Sequence, residues 1–177
     1  MKRIYMILLA LFCAFGCCNA QLIHTKGKMG IGFRAGVGTR AFQGWKGYNL
    51  GLFYNYYTSN QLGLLIEVDR EKMEFEHSEF TNQFLLGVGC EYAVWKPTKW
   101  LYMNLSLSGN FGYDDWQCTI MDREEKHLIG GLNGGFGFEA YPWHFLSFVL
   151  KARQFALFGK GENYLKPDFS LGVKVNW

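Results

Sequence analysis

The chain has 177 residues, enough for one domain, and its composition excludes several classes of protein. Its 18 Lys and Arg against 15 Asp and Glu give a net charge of +3, too small for a protein that binds nucleic acid by neutralising phosphates. With 49% hydrophobic and 18% aromatic residues, the chain is not intrinsically disordered. No apolar run reaches the length of about 18 residues that a membrane-spanning helix needs.

The first twenty residues have the features of a secretory signal peptide. Lys2 and Arg3 give it a positive start, and the apolar stretch 4–18 is too short to cross a bilayer comfortably. Cleavage after Ala20 would leave residues 21–177 as the folded domain. That domain is rich in glycine and aromatic residues and poor in proline, which favours tightly built β-structure.

Cysteine usage says little about the fold. Lipidation of Cys17 is an alternative to ordinary cleavage, but the residues before Gly16 match a lipobox poorly. After cleavage only Cys90 and Cys118 remain, too few for a disulfide framework. We expect Cys90 to face lipid and Cys118 to lie in a loop, and so no disulfide between them.

From residue 31 onward, apolar residues alternate with small or polar ones, which is the period of a β-strand. No helical period competes with it. In chain order the alternation predicts eight strands, at residues 31–38, 48–56, 62–69, 83–92, 101–112, 128–139, 146–153 and 168–177. Most are long enough for the 9–11 residues or so that a tilted membrane strand needs.

The composition of the two faces distinguishes a membrane barrel from a soluble one such as a lipocalin. The non-apolar face is mostly Gly, Ser and Asn, which suits a crowded interior better than a solvated surface. Its charges nearly balance. They are Arg34, Lys151, Arg153 and Lys174 against Glu67, Asp69, Glu91, Glu139 and Asp168. Since buried charges have to be paired, we expect an ion-pair network that fills the lumen of an eight-stranded barrel and leaves no open channel.

The aromatic residues gather near the strand ends, as in the two girdles of a membrane barrel. One set comprises Tyr56, Tyr57, Trp95, Trp100, Tyr141, Trp143 and Trp177, and the other Trp45, Tyr48, Tyr113, Trp116 and Tyr164. The alternative, a soluble β-domain with these residues in its core, fits the barrel signatures less well. The prediction is an all-β, eight-stranded antiparallel outer-membrane barrel with a polar, side-chain-filled lumen.

The predicted connections give the barrel an orientation. The turns at 57–61, 95–99 and 141–144 are short, and the loops at 39–46, 70–82, 114–127 and 157–166 are longer. Bacterial outer-membrane barrels have short periplasmic turns and long external loops, so both termini are expected in the periplasm.

The last strand resembles the C-terminal signal that the outer-membrane assembly machinery recognises. Gly172, Val175 and the terminal aromatic Trp177 carry that resemblance. Outer-membrane lipid and the assembly machinery are therefore expected partners.

No pattern for catalysis or for a cofactor stands out. His24, His77, His127 and His144 have no metal-ligand spacing to one another or to a cysteine. The glycines at 130–137 lack the Lys and Ser/Thr of a phosphate loop. A barrel enzyme acting on lipid A would need a lipid-facing histidine with a serine or carboxylate, and the predicted lipid faces carry no such set. We expect no enzyme, no cofactor and no metal.

Beyond the generic barrel, the order of features resembles the TraO family, outer-membrane proteins of Bacteroidota conjugative transposons. The matching pieces are Lys28-x-Gly30-Ile31 through Ala35-Gly36, Asn104-Leu105 through Gly109, Gly112-Tyr113, Leu128-Ile129-Gly130-Gly131, Phe138-Glu139, Leu150-Lys151-Ala152-Arg153 through Leu157-Phe158-Gly159, Lys166-Pro167, and Gly172 through Val173-Lys174-Val175-Asn176-Trp177. The resemblance implies a structural role in a conjugative transfer apparatus, with other proteins of that apparatus as partners and no direct contact with nucleic acid. The alternative is an OmpA- or OmpX-like surface or adhesion barrel unrelated to DNA transfer.

Overall fold

A computed structural model describes residues 25–40, 45–75, 79–118, 123–159 and 163–177. The expected signal peptide at 1–20, Cys17 and His24 lie outside these residues, as does His77. No helix in the described ranges is long and apolar enough to cross a membrane.

Eight antiparallel strands close into one barrel, which confirms the predicted fold class. The strands are β1 (Met29–Arg40), β2 (Trp45–Tyr57), β3 (Leu62–Phe75), β4 (Glu79–Thr98), β5 (Leu101–Cys118), β6 (Arg123–Trp143), β7 (Leu146–Gly159) and β8 (Asn163–Asn176). Each strand pairs with its neighbours in sequence, and β1 pairs with β8 to complete the ring. Met29 and Trp177 exchange two backbone hydrogen bonds of 3.0 Å at the end of that seam.

The alternation of the sequence becomes an apolar outside and a polar inside. Ile31 on the outer face of β1 is 51% exposed, whereas Arg34 on the inner face is 2% exposed. The same contrast runs around the described part of the barrel, where large apolar side chains such as Leu107, Phe111, Leu132 and Leu171 cover the outer wall. Such a wall is suited to lipid, because exposing so much apolar surface to water would carry a large free-energy cost.

The strands extend further than their predicted ranges. Much of the predicted loops 70–82 and 114–127 is paired strand, with Phe75 opposite Glu79 and Cys118 opposite Arg123. At this end, which we call the far end, the connections between strands shrink to 41–44, 76–78, 119–122 and 160–162. At the opposite end, the terminal end, the first described residues and Trp177 lie beside connections 58–61, 99–100 and 144–145.

The reason for this difference is that the period of two continues through the charged segments. Arg70 and Glu74 are exposed on the outer face, whereas Glu71 and Met73, which lie between them in sequence, are buried inside. Charged residues on the outer face make this segment of the sequence resemble a loop. The backbone nevertheless keeps its pairing with the neighbouring strand, and the side chains on the inner face stay buried.

Glycines on the inner face let neighbouring strands and side chains approach closely. A Cβ atom on Gly112 would overlap the carbonyl oxygen of Phe84 on the adjacent strand. Gly109, on the outer face of the same strand, is different, because its Cβ would lie 4.0 Å from the nearest atom, Val88 O.

We therefore predict that Gly112→Ala destabilises the barrel by about 1–3 kcal/mol or prevents its folding, because the methyl group has no space. Gly109→Ala is the matched control and is expected to leave stability nearly unchanged. Urea unfolding of both variants in detergent micelles, followed by tryptophan fluorescence, measures the difference. Equal midpoints for the two variants would contradict the steric argument.

Candidate functional site

The lumen holds a network of buried charges centred on Arg153 of β7. Its Nη2 lies 2.6 Å from Asp168 Oδ2, and its Nη1 lies 2.8 Å from Asp69 Oδ2 and 3.2 Å from Glu67 Oε2. Arg34 of β1 reaches the same acidic pair from the other side, with Nη2 2.7 Å from Asp69 Oδ2. Two guanidinium groups thus share the carboxylates of β3, and Arg153 also binds Asp168 of β8.

Glycines make room for this network on the inner wall. Gly51 of β2 lies between Arg34 and Asp69 in the register, and a Cβ there would lie 2.8 Å from Arg34 Nε. A Cβ on Gly135 would lie 2.9 Å from Arg153 Cγ, and one on Gly172 would lie 3.0 Å from Arg34 Cβ. The small residues of the inner face therefore leave the space that the large charged side chains occupy.

A second group of charges lies nearer the terminal end. Lys151 Nζ is 3.4 Å from Glu91 Oε2, and Lys174 pairs with Glu139. Lys174 also donates a 2.8 Å hydrogen bond to Tyr57 Oη. All nine charged residues predicted to face the lumen are buried inside the barrel: Arg34, Glu67, Asp69, Glu91, Glu139, Lys151, Arg153, Asp168 and Lys174.

Carboxylates outnumber cations among the buried charges of the described chain, and neutral side chains supply further hydrogen-bond donors. Asn104 Nδ2 donates to both Glu91 and Glu139 at 3.3 Å, and Ser147 Oγ donates to Glu139 at 2.7 Å. Asn49 donates to Asp168. The Asn and Ser residues of the inner face thus satisfy carboxylate oxygens that the cations leave open.

One ion pair close to the far end is not among the predicted lumenal charges. Lys166 pairs with Glu71 and donates a 2.6 Å hydrogen bond to Gln83, and Thr81 donates to Asp114. These residues fell in segments predicted as loops or at a strand end. The continued alternation around Glu71 was the signal that could have found them.

Two uncharged layers enclose the charged middle of the lumen. Leu85, Ile129, Phe155 and Leu157 pack together on the far-end side. On the terminal-end side Ala93, Tyr102 and Tyr141 form a cluster, next to Tyr57, whose hydroxyl binds Lys174. A cavity of about 10 Å³ between Arg34, Glu91, Lys151 and their neighbours has room for about one water molecule.

The girdle prediction is wrong for three residues. Tyr57 and Tyr141 are 2% and 1% exposed inside the lumen. Each lies two positions after an inward-facing residue, Asn55 or Glu139, and side chains two positions apart on a strand share a face. Trp116 is half-buried and lies opposite Thr81, on the inner face of β5. The other described members lie outside or half-buried at the two ends: Tyr48, Tyr56, Trp95, Trp100, Tyr113, Trp143 and Trp177. The side chains of Trp45, Tyr164 and Cys118 fall outside the described part.

The remaining polar residues form no reactive cluster that we recognise. In the described ranges no group of three or more His, Cys, Asp or Glu could hold a metal ion. His127 Nε2 lies 3.1 Å from Glu125 Oε2, and His144 packs edge-on against Phe145. Cys90 is a free thiol on the outer side of β4.

Comparison with known proteins places this geometry in context. The family described as conjugative transposon protein TraO matches residues 25–177. No protein with a curated description matches the chain.

Solved structures share the fold at low sequence identity. Neisserial surface protein A superposes with a TM-score of 0.71 at 14% identity, covering 85% of this chain and 97% of that one. OprG from Pseudomonas aeruginosa gives 0.57 at 14% identity, covering 87% and 97%. Ail, the attachment invasion locus protein of Yersinia pestis, gives 0.53 at 16% identity, covering 86% and 100%. These similarities show the fold alone.

We predict that Arg153→Leu destabilises the barrel by about 3–5 kcal/mol, since it leaves Asp168 and Asp69 buried with too little positive charge. Lys72→Ala is the control, because the Lys72–Glu74 pair is exposed and contributes about 0–1 kcal/mol. Urea unfolding in detergent micelles compares the two. A loss of less than about 1 kcal/mol for Arg153→Leu would show that the network does not depend on this guanidinium.

A second prediction concerns ion flow. Because both uncharged layers are packed and the charged middle is filled, the purified barrel should insert into planar bilayers without stepwise ionic currents. An open porin inserted in the same bilayer is the control. Reproducible single-channel steps from this chain would show that the lumen opens.

Proposed function

The chain belongs to the TraO family of conjugative transposon proteins, and we propose on that ground that it is a structural outer-membrane component of a conjugative transfer apparatus. The observation that supports a structural role is the filled lumen. A barrel closed by packed side chains cannot conduct a DNA strand or a protein through its centre. Its contribution to transfer has to come from its rims, its outer wall and its anchoring in the membrane.

We propose that both termini face the periplasm and that residues 1–20 are removed as a signal peptide. Support comes from the even number of strands, which brings Met29 and Trp177 to the same end. A chain exported across the inner membrane and inserted from the periplasm would leave that end where it began.

We further propose that Gly172, Val175 and Trp177 form the signal read by the assembly machinery. Val175 and Trp177 are exposed on the outer face of the closing strand, where a receptor could bind them before β8 pairs with β1. Gly172 faces inward against Arg34, so its role in the native barrel is to make room for that side chain.

The proposal is non-enzymatic and includes no direct contact with nucleic acid. Of the two described histidines, His127 contacts Glu125 on the inner side of β6 and His144 packs on Phe145 in a turn. The expected partners are outer-membrane lipid and other proteins of the transfer apparatus, which the terminal-end or far-end rim would contact.

The alternative is a surface or adhesion barrel unrelated to DNA transfer. Two of the proteins that share the fold are named as a surface protein and an attachment invasion protein. At 14–16% identity that similarity carries no function to this chain. Family membership over residues 25–177 favours the role in transfer.

We predict that deleting the gene in a donor cell abolishes conjugative transfer while growth stays normal, and that the wild-type chain restores transfer. The frequency of transconjugants per donor is the measurement. Complementation with Gly109→Ala should restore transfer, because that barrel is expected to fold. Gly112→Ala should fail to restore it.

Unchanged transfer in the deletion strain would overturn the proposed function and leave the surface-barrel alternative. Attachment of the same strain to host cells or to other bacteria would then be measured. Loss of transfer with general sensitivity to detergents would instead point to a damaged outer membrane, so detergent sensitivity is recorded in every strain.

A further inference from the structure

The charged side chains of the rim at the terminal end are all of one sign. We define this terminal rim as residues 25–29, 57–62, 93–101, 140–146 and 176–177, all within the described chain. It contains four exposed lysines, Lys26, Lys28, Lys96 and Lys99, and no Asp or Glu side chain. The nearest carboxylates along its strands, Glu91 and Glu139, are buried in the lumen with their own partners.

The far end has a different balance of charge. Lys72 lies 3.0 Å from Glu74 on the outer face of β3, so positive and negative side chains neutralise one another there. Arg70, Lys126 and Asp115 add both signs nearby. The cationic excess is therefore a property of one end of the barrel and not of its surface as a whole.

The β4–β5 hairpin projects its residues at this rim. The register between the two strands shifts twice, between Ala93 and Trp95 and again between Trp95 and Thr98. Residues 94–99 are consequently all exposed, whereas a regular strand would bury every second one. Pro97 has no N–H to pair, which helps to end the ladder.

The hairpin tip combines the two residue types that anchor proteins at a membrane surface. Lys96 and Lys99 lie between Trp95 and Trp100, and Trp95 is 58% exposed. Tryptophan prefers the boundary between the acyl chains and the headgroups. The backbone of the adjacent lysines therefore lies near the depth of the lipid phosphates, and the Lys96 ammonium also lies 4.8 Å from the ring centroid of Tyr102.

The backbone that carries the other two lysines is hydrogen-bonded at the same rim. Gly27, with a φ of +88°, forms a tight turn, and its N–H donates to Tyr57 O at 2.8 Å. Tyr57 N–H donates in return to Lys28 O at 2.9 Å. Lys26 and Lys28 flank Gly27 and remain exposed beside β2.

We propose that the terminal rim binds anionic glycerophospholipid headgroups of the adjoining leaflet, with Lys96 and Lys99 as the principal contacts and Lys26 and Lys28 as a second cluster. An acidic segment of a partner protein would match the charge as well. The tryptophans beside the lysines favour lipid, because they hold the hairpin that carries Lys96 and Lys99 at the membrane surface. The inference rests on the transmembrane fold and holds whether or not the chain acts in conjugation.

The test reconstitutes the full-length chain in phosphatidylcholine vesicles with spin-labelled phosphatidylglycerol or spin-labelled phosphatidylcholine. The motionally restricted fraction gives the preference of the protein for each lipid. We expect phosphatidylglycerol to be preferred about two- to fivefold at low salt, with the preference reduced in 1 M NaCl. Added inorganic phosphate at millimolar concentration should not remove it, since the site requires a headgroup held at the surface.

Matched variants assign the effect to the rim. Lys96→Gln with Lys99→Gln should bring the preference close to one, whereas Lys96→Arg with Lys99→Arg should retain it. Lys72→Gln with Lys126→Gln, which removes the same charge from the far end, should leave it unchanged. Urea unfolding confirms that each variant is folded.

A preference of one in the wild-type chain would overturn the proposal, and an acidic protein segment would then become the candidate ligand of the rim. A preference that persists in the Lys96→Gln, Lys99→Gln variant and also in the variant with all four rim lysines replaced by Gln would equally overturn it.

Discussion

The interior of an eight-stranded barrel is so narrow that every polar side chain turned inward has to find its partner there. Lipid surrounds the wall, so no charge can turn outward within the membrane without a large cost. Arg153 meets this constraint by binding Asp168, Asp69 and Glu67 together. The narrow interior also explains the other residues of the inner face. Glycines supply the space around the charges, and amide and hydroxyl side chains supply the remaining hydrogen-bond donors.

The same constraint closes the lumen. The charged middle lies between an apolar layer that includes Phe155 and Leu157 and a tyrosine layer that includes Tyr102 and Tyr141. These layers separate the ion pairs from bulk water, which strengthens each pair electrostatically and raises the cost of losing one partner. A barrel built in this way is rigid and sealed. Its interactions with other molecules therefore take place at the two rims and on the outer wall.

Much of the fold could be predicted, because apolar residues for the outer face and small or polar residues for the inner face alternate along each strand of a membrane barrel. All eight strands follow from the period of two, and the match to the TraO family was visible in short ordered motifs. The predictions are wrong where they rest on residue type and not on the period of two. Tyr57 and Tyr141 were assigned to a girdle for being aromatic near strand ends, although their parity places them inside. The lumenal positions of Glu71 and Lys166 were not predicted, because charged neighbours on the outer face make their segments resemble loops.

The sequence by itself determined which side chains share a face, since in a β-strand the direction of each side chain depends only on its position along the chain. It could not determine which of the inward charges meet. That depends on the register of each strand pair and on the stagger with which β1 closes against β8. Only the closed barrel brings Arg34 and Arg153 to the same Asp69, exposes residues 94–99 at a break in register, and gathers four lysines around one rim.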